Sequence, residues 1–340
     1  MFDDVWRTHQ LYGLLFASGL FCYLTINTMG KAYALALFYS LASAIWLFQN
    51  PVEVWPGLMI RIDATSANAA IILVLTSAIA AFLSIDKVKK LFLFLTSVVF
   101  INCIIVLFRG NGLFNVSSMD LAVAALFLPV MIYVANKYFF DGLALLILVP
   151  IVAIFTYHGR TGVIMISTMS LLFLWWKGKR KTALAILVFV ALPVLVWAVL
   201  KAIETNRIEQ MSGIYGRLSA WREAFEWWVP NANLFFGTGT GSYQWIGPSI
   251  ANRKTQVYLF LHNEYLQTLF EQGILGLVLW GAVAFNAFKK TIFTNFYLFT
   301  TLVLLAVMSF TQYPFRFFIT QLAAVLLIRL AQETETPADF

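Results

Sequence analysis

The sequence predicts an all-α polytopic membrane protein with about eleven transmembrane helices, or twelve, and one long extramembrane loop carrying short amphipathic helices. Three observations predict it. Of 340 residues, 61% are hydrophobic and only 11% charged, with a mean hydropathy of +0.82; a soluble domain carries about 25% charge, and a water-soluble fold could not hide this much apolar side chain. Apolar runs approaching the ~20 residues that cross a hydrocarbon core recur along the chain. Lysine and arginine gather in alternate short loops, as cytoplasmic loops do. Strand-like alternation is absent, which argues against a β-barrel.

The expected spans are 11–29, 32–49, 67–84, 91–108, 120–135, 141–157, 162–176, 183–202, 264–286, 292–312 and 314–330. The fifth, sixth and seventh are short. The first lacks a basic leader and a trustworthy small-residue cleavage site, so it reads as a retained helix rather than a signal peptide. Cys22 and Cys103 lie inside apolar runs, without disulfide or metal spacing. The loops "DKVKK" (86–90), "KGKRK" (177–181) and "KK" (289–290), with Lys31, Lys137 and Arg329, hold 12 of the 23 basic residues. That side is cytoplasmic. The N-terminus is then outside, the C-terminus inside, and the long segment 203–261 outside. The chain thus divides into helices 1–8 over 1–202, the loop over 203–261, helices 9–11 over 262–330, and a short cytoplasmic tail at 331–340. The net charge of +7 belongs to this loop pattern, so nucleic acid is not an expected partner; membrane lipids are.

Long ordered loops are usually functional. Within this one, "GRLSAWREAFEWWVP" (216–230) reads as a helix that Pro230 ends. Leu218, Trp221, Phe225, Trp228 and Val229 form its apolar stripe, and Arg217 and Arg222 flank the stripe on opposite sides. Such a helix suits a membrane interface. "FFGTGTGSYQW" (235–245) is a glycine-rich loop. It lacks the lysine and the strand-to-helix context of a phosphate-binding loop.

Three features on the outer side carry chemistry: "YHGRTG" (157–162) with Arg160, the Arg217/Arg222 helix, and "LHNEYLQ" (261–267). Each has a plain structural alternative. Arg160 could snorkel to the interface, Arg222 and Glu226 could form a surface i, i+4 pair, and the His-Asn pair could cap a helix. If both lay on a helix, His262 and Glu264 would point about 200° apart. Arginines near a lipid boundary suit phosphate or pyrophosphate, which the guanidinium fork binds bidentately. A histidine can take a proton at neutral pH. No paired carboxylates stand at metal-ligand spacing in the loop, so neither a metal nor another cofactor is implied. These residues together suggest transfer from a lipid-linked pyrophosphate donor.

Four stretches, "GRTG" (159–162), "GRLSAWREA" (216–224), "FGTGTGSYQW" (236–245) and "HNEYLQTLFEQGILGL" (262–277), resemble, in this order, the bacterial O-antigen ligase superfamily. That superfamily also holds O-antigen polymerases and protein O-oligosaccharyltransferases. The resemblance implies an inverting, metal-independent glycosyltransferase of the bacterial inner membrane, with a fold similar to other all-helical lipid-linked-sugar transferases. The donor would be an undecaprenyl-pyrophosphate glycan on the periplasmic face, and the acceptor lipid A-core. A polymerase, then a protein O-oligosaccharyltransferase, are the alternatives within the family, and a polytopic transporter or flippase the alternative outside it. Residue by residue, the resemblance implies His262 as the catalytic residue and Arg160 and Arg217, with Arg222 beside them, as donor pyrophosphate ligands. Gly159 stands where the family's motif has serine. Asn263, Gly239 and Gly241 are expected in support, and Gly273 and Gly276 to allow close helix packing.

Overall fold

The computed structural model describes residues 2–49, 52–55, 58–60, 63–109, 117–138, 150–154, 160–179, 181, 214–250, 261–312, 315 and 318–333. The fold is helical: α1 (Phe2–Met29), α2 (Lys31–Gln49), α3 (Asp63–Phe82), α4 (Ile85–Arg109), α5 (Ser117–Tyr138), α6 (Arg160–Trp176), α7 (Ile214–Asn231), α8 (Tyr243–Ile250), α9 (Glu264–Thr291), α10 (Phe296–Thr311) and α11 (Phe318–Glu333). Residues 150–154 are also helical. Most of the expected span at 141–157, and all of that at 183–202, lie outside the described residues. Among the described residues, three helical segments are long and apolar enough to cross a membrane: Gln10–Met29, Ile85–Arg109 and Glu264–Thr291.

One feature departs from the all-helical expectation. A small antiparallel hairpin, β1 (Val52–Trp55) with β2 (Leu58–Ile60), stands between α2 and α3. Its signal was the short β-branched alternation Val52-Glu53-Val54-Trp55, followed by the turn-forming Pro56-Gly57 dipeptide.

Contacts divide the chain into two units. The first holds residues 1–90, 217–294 and 309–340. In it α1, α2 and α3 pack together, α2 packs on α9, and α11 packs on α3 and α9. Small buried residues bring these backbones close, among them Ala34, Ala36 and Ala44 of α2 and Ala80 and Ala81 of α3. Tyr33 links α2 to α3 through a 2.7 Å hydrogen bond between its hydroxyl and that of Ser77. Its ring meets Trp280 of α9 edge-on. The second unit holds residues 91–216 and 295–308. There α5 packs on α6, Phe296 of α10 stacks on Trp176 of α6 at 4.6 Å, and Tyr297 meets Tyr133 of α5 at 5.4 Å.

Candidate functional site

The site is built in the first unit around the start of α9. Asn263 is the N-cap of that helix, in extended conformation, and its Oδ1 accepts the Leu266 N–H at 3.0 Å. His262 therefore precedes the helix instead of lying on it, and the 200° separation from Glu264 expected for two helical positions does not apply. His262 has φ 52°, alone in the left-handed region among the described non-glycine residues. Such a conformation costs on the order of 1–3 kcal/mol and persists where the surroundings over-determine it.

Those surroundings are specific. The Leu261 carbonyl accepts from the Trp221 indole of α7. The Leu261 N–H donates to Gln267 Oε1 at 3.2 Å, and Gln267 Nε2 donates to Glu271 Oε1 at 3.0 Å. The two backbone polar groups of Leu261 are thus fixed, the carbonyl from α7 and the N–H from α9. Gln312 hydrogen-bonds the His262 side chain. Glu264, also buried, accepts the Phe315 N–H at 3.3 Å. The segment after α10 is thereby attached to the head of α9 at two points.

Burial holds the His262 pKa down, and the Arg217 charge lowers it further, to about 4, against a smaller upward pull from Gln312. The imidazole is neutral at neutral pH and able to accept a proton. Arg217, half-buried in the first turns of α7, is close enough for its charge to act on the ring. Arg222 is different. Its side chain is 79% exposed and bonds Glu226 at 2.7 Å, so in this structure it forms the plain i, i+4 pair. Arg160 is the first residue of α6, in the second unit, and its side chain lies outside the described part of the structure, as does His158.

The apolar face of α7 keeps most of the expected stripe: Trp228 is in its core, Trp221 and Phe225 pack against that core, and Val229 departs from it. Ala224, Trp227 and Trp228 are buried in a core with Tyr243, Ile246, Leu261 and Phe270, while Val229 is exposed; the side chain of Leu218 lies outside the described atoms. Trp227 stacks on Phe270 at 5.8 Å, and Tyr243 meets the same ring edge-on at 5.1 Å. A protein core, in place of a lipid surface, covers this face. Pro230 sits inside the last turn of α7 and Asn231 ends it.

The glycine-rich segment holds α9 open at a break. Gly273 has φ 65° and ψ −169° inside α9, a region open essentially to glycine, and a Cβ there would come within 2.3 Å of the Phe235 carbonyl oxygen. The packing role expected for Gly273 is therefore a kink. The backbone groups near the break find partners in the loop. Thr238 and Gly239 donate to the Phe270 and Glu271 carbonyls at 3.1 and 2.7 Å, while Ile274 and Leu275 donate to the Leu234 and Phe235 carbonyls at 3.0 and 3.2 Å. Gly237 (φ 71°) passes so near that a Cβ would meet the Glu271 backbone at 2.5 Å. The Glu271 carboxylate takes the Gly241 N–H at 2.8 Å and the Tyr243 N–H at 3.4 Å, which caps α8 with negative charge. Gly239 and Gly241 thus give their N–H groups to Glu271, not to an outside anion, and hold the loop against α9.

Sequence reasoning did not single out Gln267, Glu271 and Gln312, and placed Trp221 only in the apolar stripe of α7. The first two carried a signal: polar groups four residues apart in an otherwise apolar run share one helical face. Gln312, at the end of an expected span just before Tyr-Pro, carried only the weak mark of a helix stop.

No curated protein matches the chain. A neutral histidine fixed beside an arginine at the head of a broken apolar helix is the local architecture of residues 214–312. Residues 143–281, which include α6, α7, α8 and the first part of α9, match the family model described as O-antigen ligase, so over this stretch the chain is similar to the O-antigen ligase superfamily.

Proposed function

We propose that the protein is an O-antigen ligase that transfers a glycan from undecaprenyl pyrophosphate to lipid A-core on the periplasmic face of the bacterial inner membrane. The observation that carries this reading is His262, neutral and clamped in a left-handed conformation beside Arg217. It supports an inverting step without a metal. An acceptor hydroxyl oxygen attacks the anomeric carbon of the donor. His262 takes the hydroxyl proton as the new C–O bond forms. The bond from that carbon to the phosphate oxygen breaks, and undecaprenyl pyrophosphate departs with the electron pair. Arginine, always protonated, cannot take that proton, but it stabilises the charge building on the leaving oxygens. Arg217 and Arg160 are assigned that role, with Arg222 a weaker third contact because Glu226 already holds it. Asn263 fixes the start of α9, and Gly239 and Gly241 hold the break below. An anion bound at Arg217 would offset the charge that depresses His262 and so raise its basicity as the donor arrives.

The test is transfer by purified protein in liposomes from a polyprenyl-pyrophosphate glycan, with lipid A-core, a second lipid-linked glycan and a protein acceptor offered separately, with and without EDTA. Product on lipid A-core alone is expected. Product only on the lipid-linked glycan makes the protein a polymerase, product only on the protein acceptor an oligosaccharyltransferase, and no product with any acceptor sinks the reading. A transporter would use a broken helix to line an ion or substrate cavity. Here the break at Gly273 is filled by the chain's own backbone, which favours the enzyme.

A further inference from the structure

α9 changes character at Gly273. Before it, Glu264, Gln267, Phe270, Glu271 and Gln272 are buried, and the polar side chains are hydrogen-bonded inside the protein. After it comes "ILGLVLWGAVAFNAF" (274–288), without a charge, closed by Lys289 and Lys290. Along it Ile274, Leu275, Val278 and Phe285 are exposed at 44%, 37%, 59% and 66%. The part of α9 that needs lipid around it therefore begins at the break. From Gly273 to Lys290 the helix rises roughly 26 Å at 1.5 Å per residue. That approaches the ~30 Å hydrocarbon core, and snorkelling lysines cover the remainder.

The loop joined to this point is itself apolar and outward-facing. Leu234, Phe235 and Phe236 are exposed at 43%, 64% and 56%. They cannot lie far from the start of the lipid-facing stretch, because the Leu234 and Phe235 carbonyls bond the Ile274 and Leu275 N–H groups. Their backbone polarity is largely satisfied within the protein. Asn233 Oδ1 accepts the Phe235 and Phe236 N–H groups at 2.9 and 3.2 Å, and the Phe236 carbonyl accepts from the Tyr39 hydroxyl at 3.2 Å. A loop without open backbone groups can enter a bilayer edge; one with them cannot.

We propose that Leu234, Phe235 and Phe236 form an aromatic foot seated in the lipid interface, and that the hydrocarbon boundary crosses α9 at Gly273 and not at its first residue. The head of α9 then stands in protein above the lipid. His262 is raised roughly 14 Å over the boundary, by the nine-residue rise from Glu264 to Gly273.

Spin labels at positions 235, 236, 226, 265 and 278, each in a Cys22→Ala/Cys103→Ala background, report depth in reconstituted vesicles through their accessibility to oxygen and to a water-soluble nickel chelate. The expected result is loss of nickel accessibility at 235 and 236, with oxygen accessibility matching 278, while 226 and 265 stay open to nickel. Nickel accessibility at 235 and 236 equal to that at 226 overturns the proposal. So does shielding from both reagents, which would mean that a protein partner covers the foot. If labelling at 235 or 236 unfolds the protein, photoactivatable phospholipid reacted with the unaltered chain decides: adducts on 234–236 are expected, and adducts on 274–278 without any on 234–236 overturn it.

Discussion

The α1–α3 bundle and the cap of residues 217–273 lie in the same unit and are held together in different ways. In the bundle the contacts are small side chains and aliphatic faces, with few side-chain links such as Tyr33 to Ser77. In the cap an aromatic core around Phe270 is joined by contacts that each rest on one polar atom or one glycine: the Trp221 indole on Leu261, Gln267 on both Leu261 and Glu271, Glu271 on the Gly241 and Tyr243 amides, Asn263 on Leu266. The bundle is specified by an average property of many residues, the cap by the identity of each. The bundle should therefore tolerate substitution where the cap should not.

The sharpest break of that comparison is at His262. His262→Ala should lower transfer by about 10²–10⁴-fold, the usual worth of general-base help, while folded yield and vesicle insertion stay near wild type. Glu264→Ala should instead cost stability, because Glu264 accepts the Phe315 N–H, and retain turnover per folded molecule. Measuring transfer per folded protein for both separates the roles. An active His262→Ala protein would reduce the histidine to a structural element of the cap.

Glycines test the comparison by stability alone. Gly273→Ala forces a Cβ to within 2.3 Å of the Phe235 carbonyl oxygen, at a backbone conformation alanine avoids. A loss of roughly 3 kcal/mol or more is expected, seen as a collapse in folded yield and thermal midpoint in detergent. Gly13→Ala, in α1 with nothing within 4 Å, should be neutral or stabilise by up to ~1 kcal/mol. Equal effects at the two positions would erase the distinction between bundle and cap.

The same contrast explains what could be read in the sequence. Helices α1 to α6 and α9 to α11 follow apolar runs, because burial in lipid or in a bundle needs only hydrophobicity over a turn or more. His262 and Arg217 were legible because their residue types are costly at a membrane edge and fall within motifs. The break at Gly273 was not, since the hydrogen bonds that fill it come from residues 234–239, far off in sequence and set by backbone shape, not by side-chain type. The stripe of α7 was legible at Trp221, Phe225 and Trp228, but what covers it was not, for a related reason. Trp227 and Trp228 suit lipid and protein equally, and only Phe270 beneath them decides.

Two arginines five residues apart on α7 sharpen the picture within the cap. Arg217→Lys keeps a charge near His262 and loses the planar fork. A lost charge-assisted contact to the donor is worth about 1.5–3 kcal/mol, roughly ten- to a hundredfold in transfer. Arg222→Lys should change the rate much less, because the Arg222 side chain is exposed and engaged with Glu226. Initial rates at sub-saturating donor check this. Wild-type rates for Arg217→Lys would remove bidentate recognition at that position.

The smallest effect expected is on pH dependence, and it reads the neighbours of His262 one at a time. A base must be neutral to act, so transfer at low donor concentration should fall as pH drops through the free-enzyme value of about 4. Burial is the larger cause of that low value and the Arg217 charge the second, while the Gln312 hydrogen bond pulls the other way. Arg217→Gln should therefore move the acid limb upward, and Gln312→Leu downward, on top of any change in rate. Stability should carry the same signature. Because the folded pKa lies below the unfolded value near 6.5, the folded state binds fewer protons, and stability is lost as pH falls from about 6.5 toward 4. His262→Gln should flatten that slope. If the acid limb stays fixed in both neighbour variants while the rates change, the group titrating in catalysis is not His262, and the charge of Arg217 serves the donor alone.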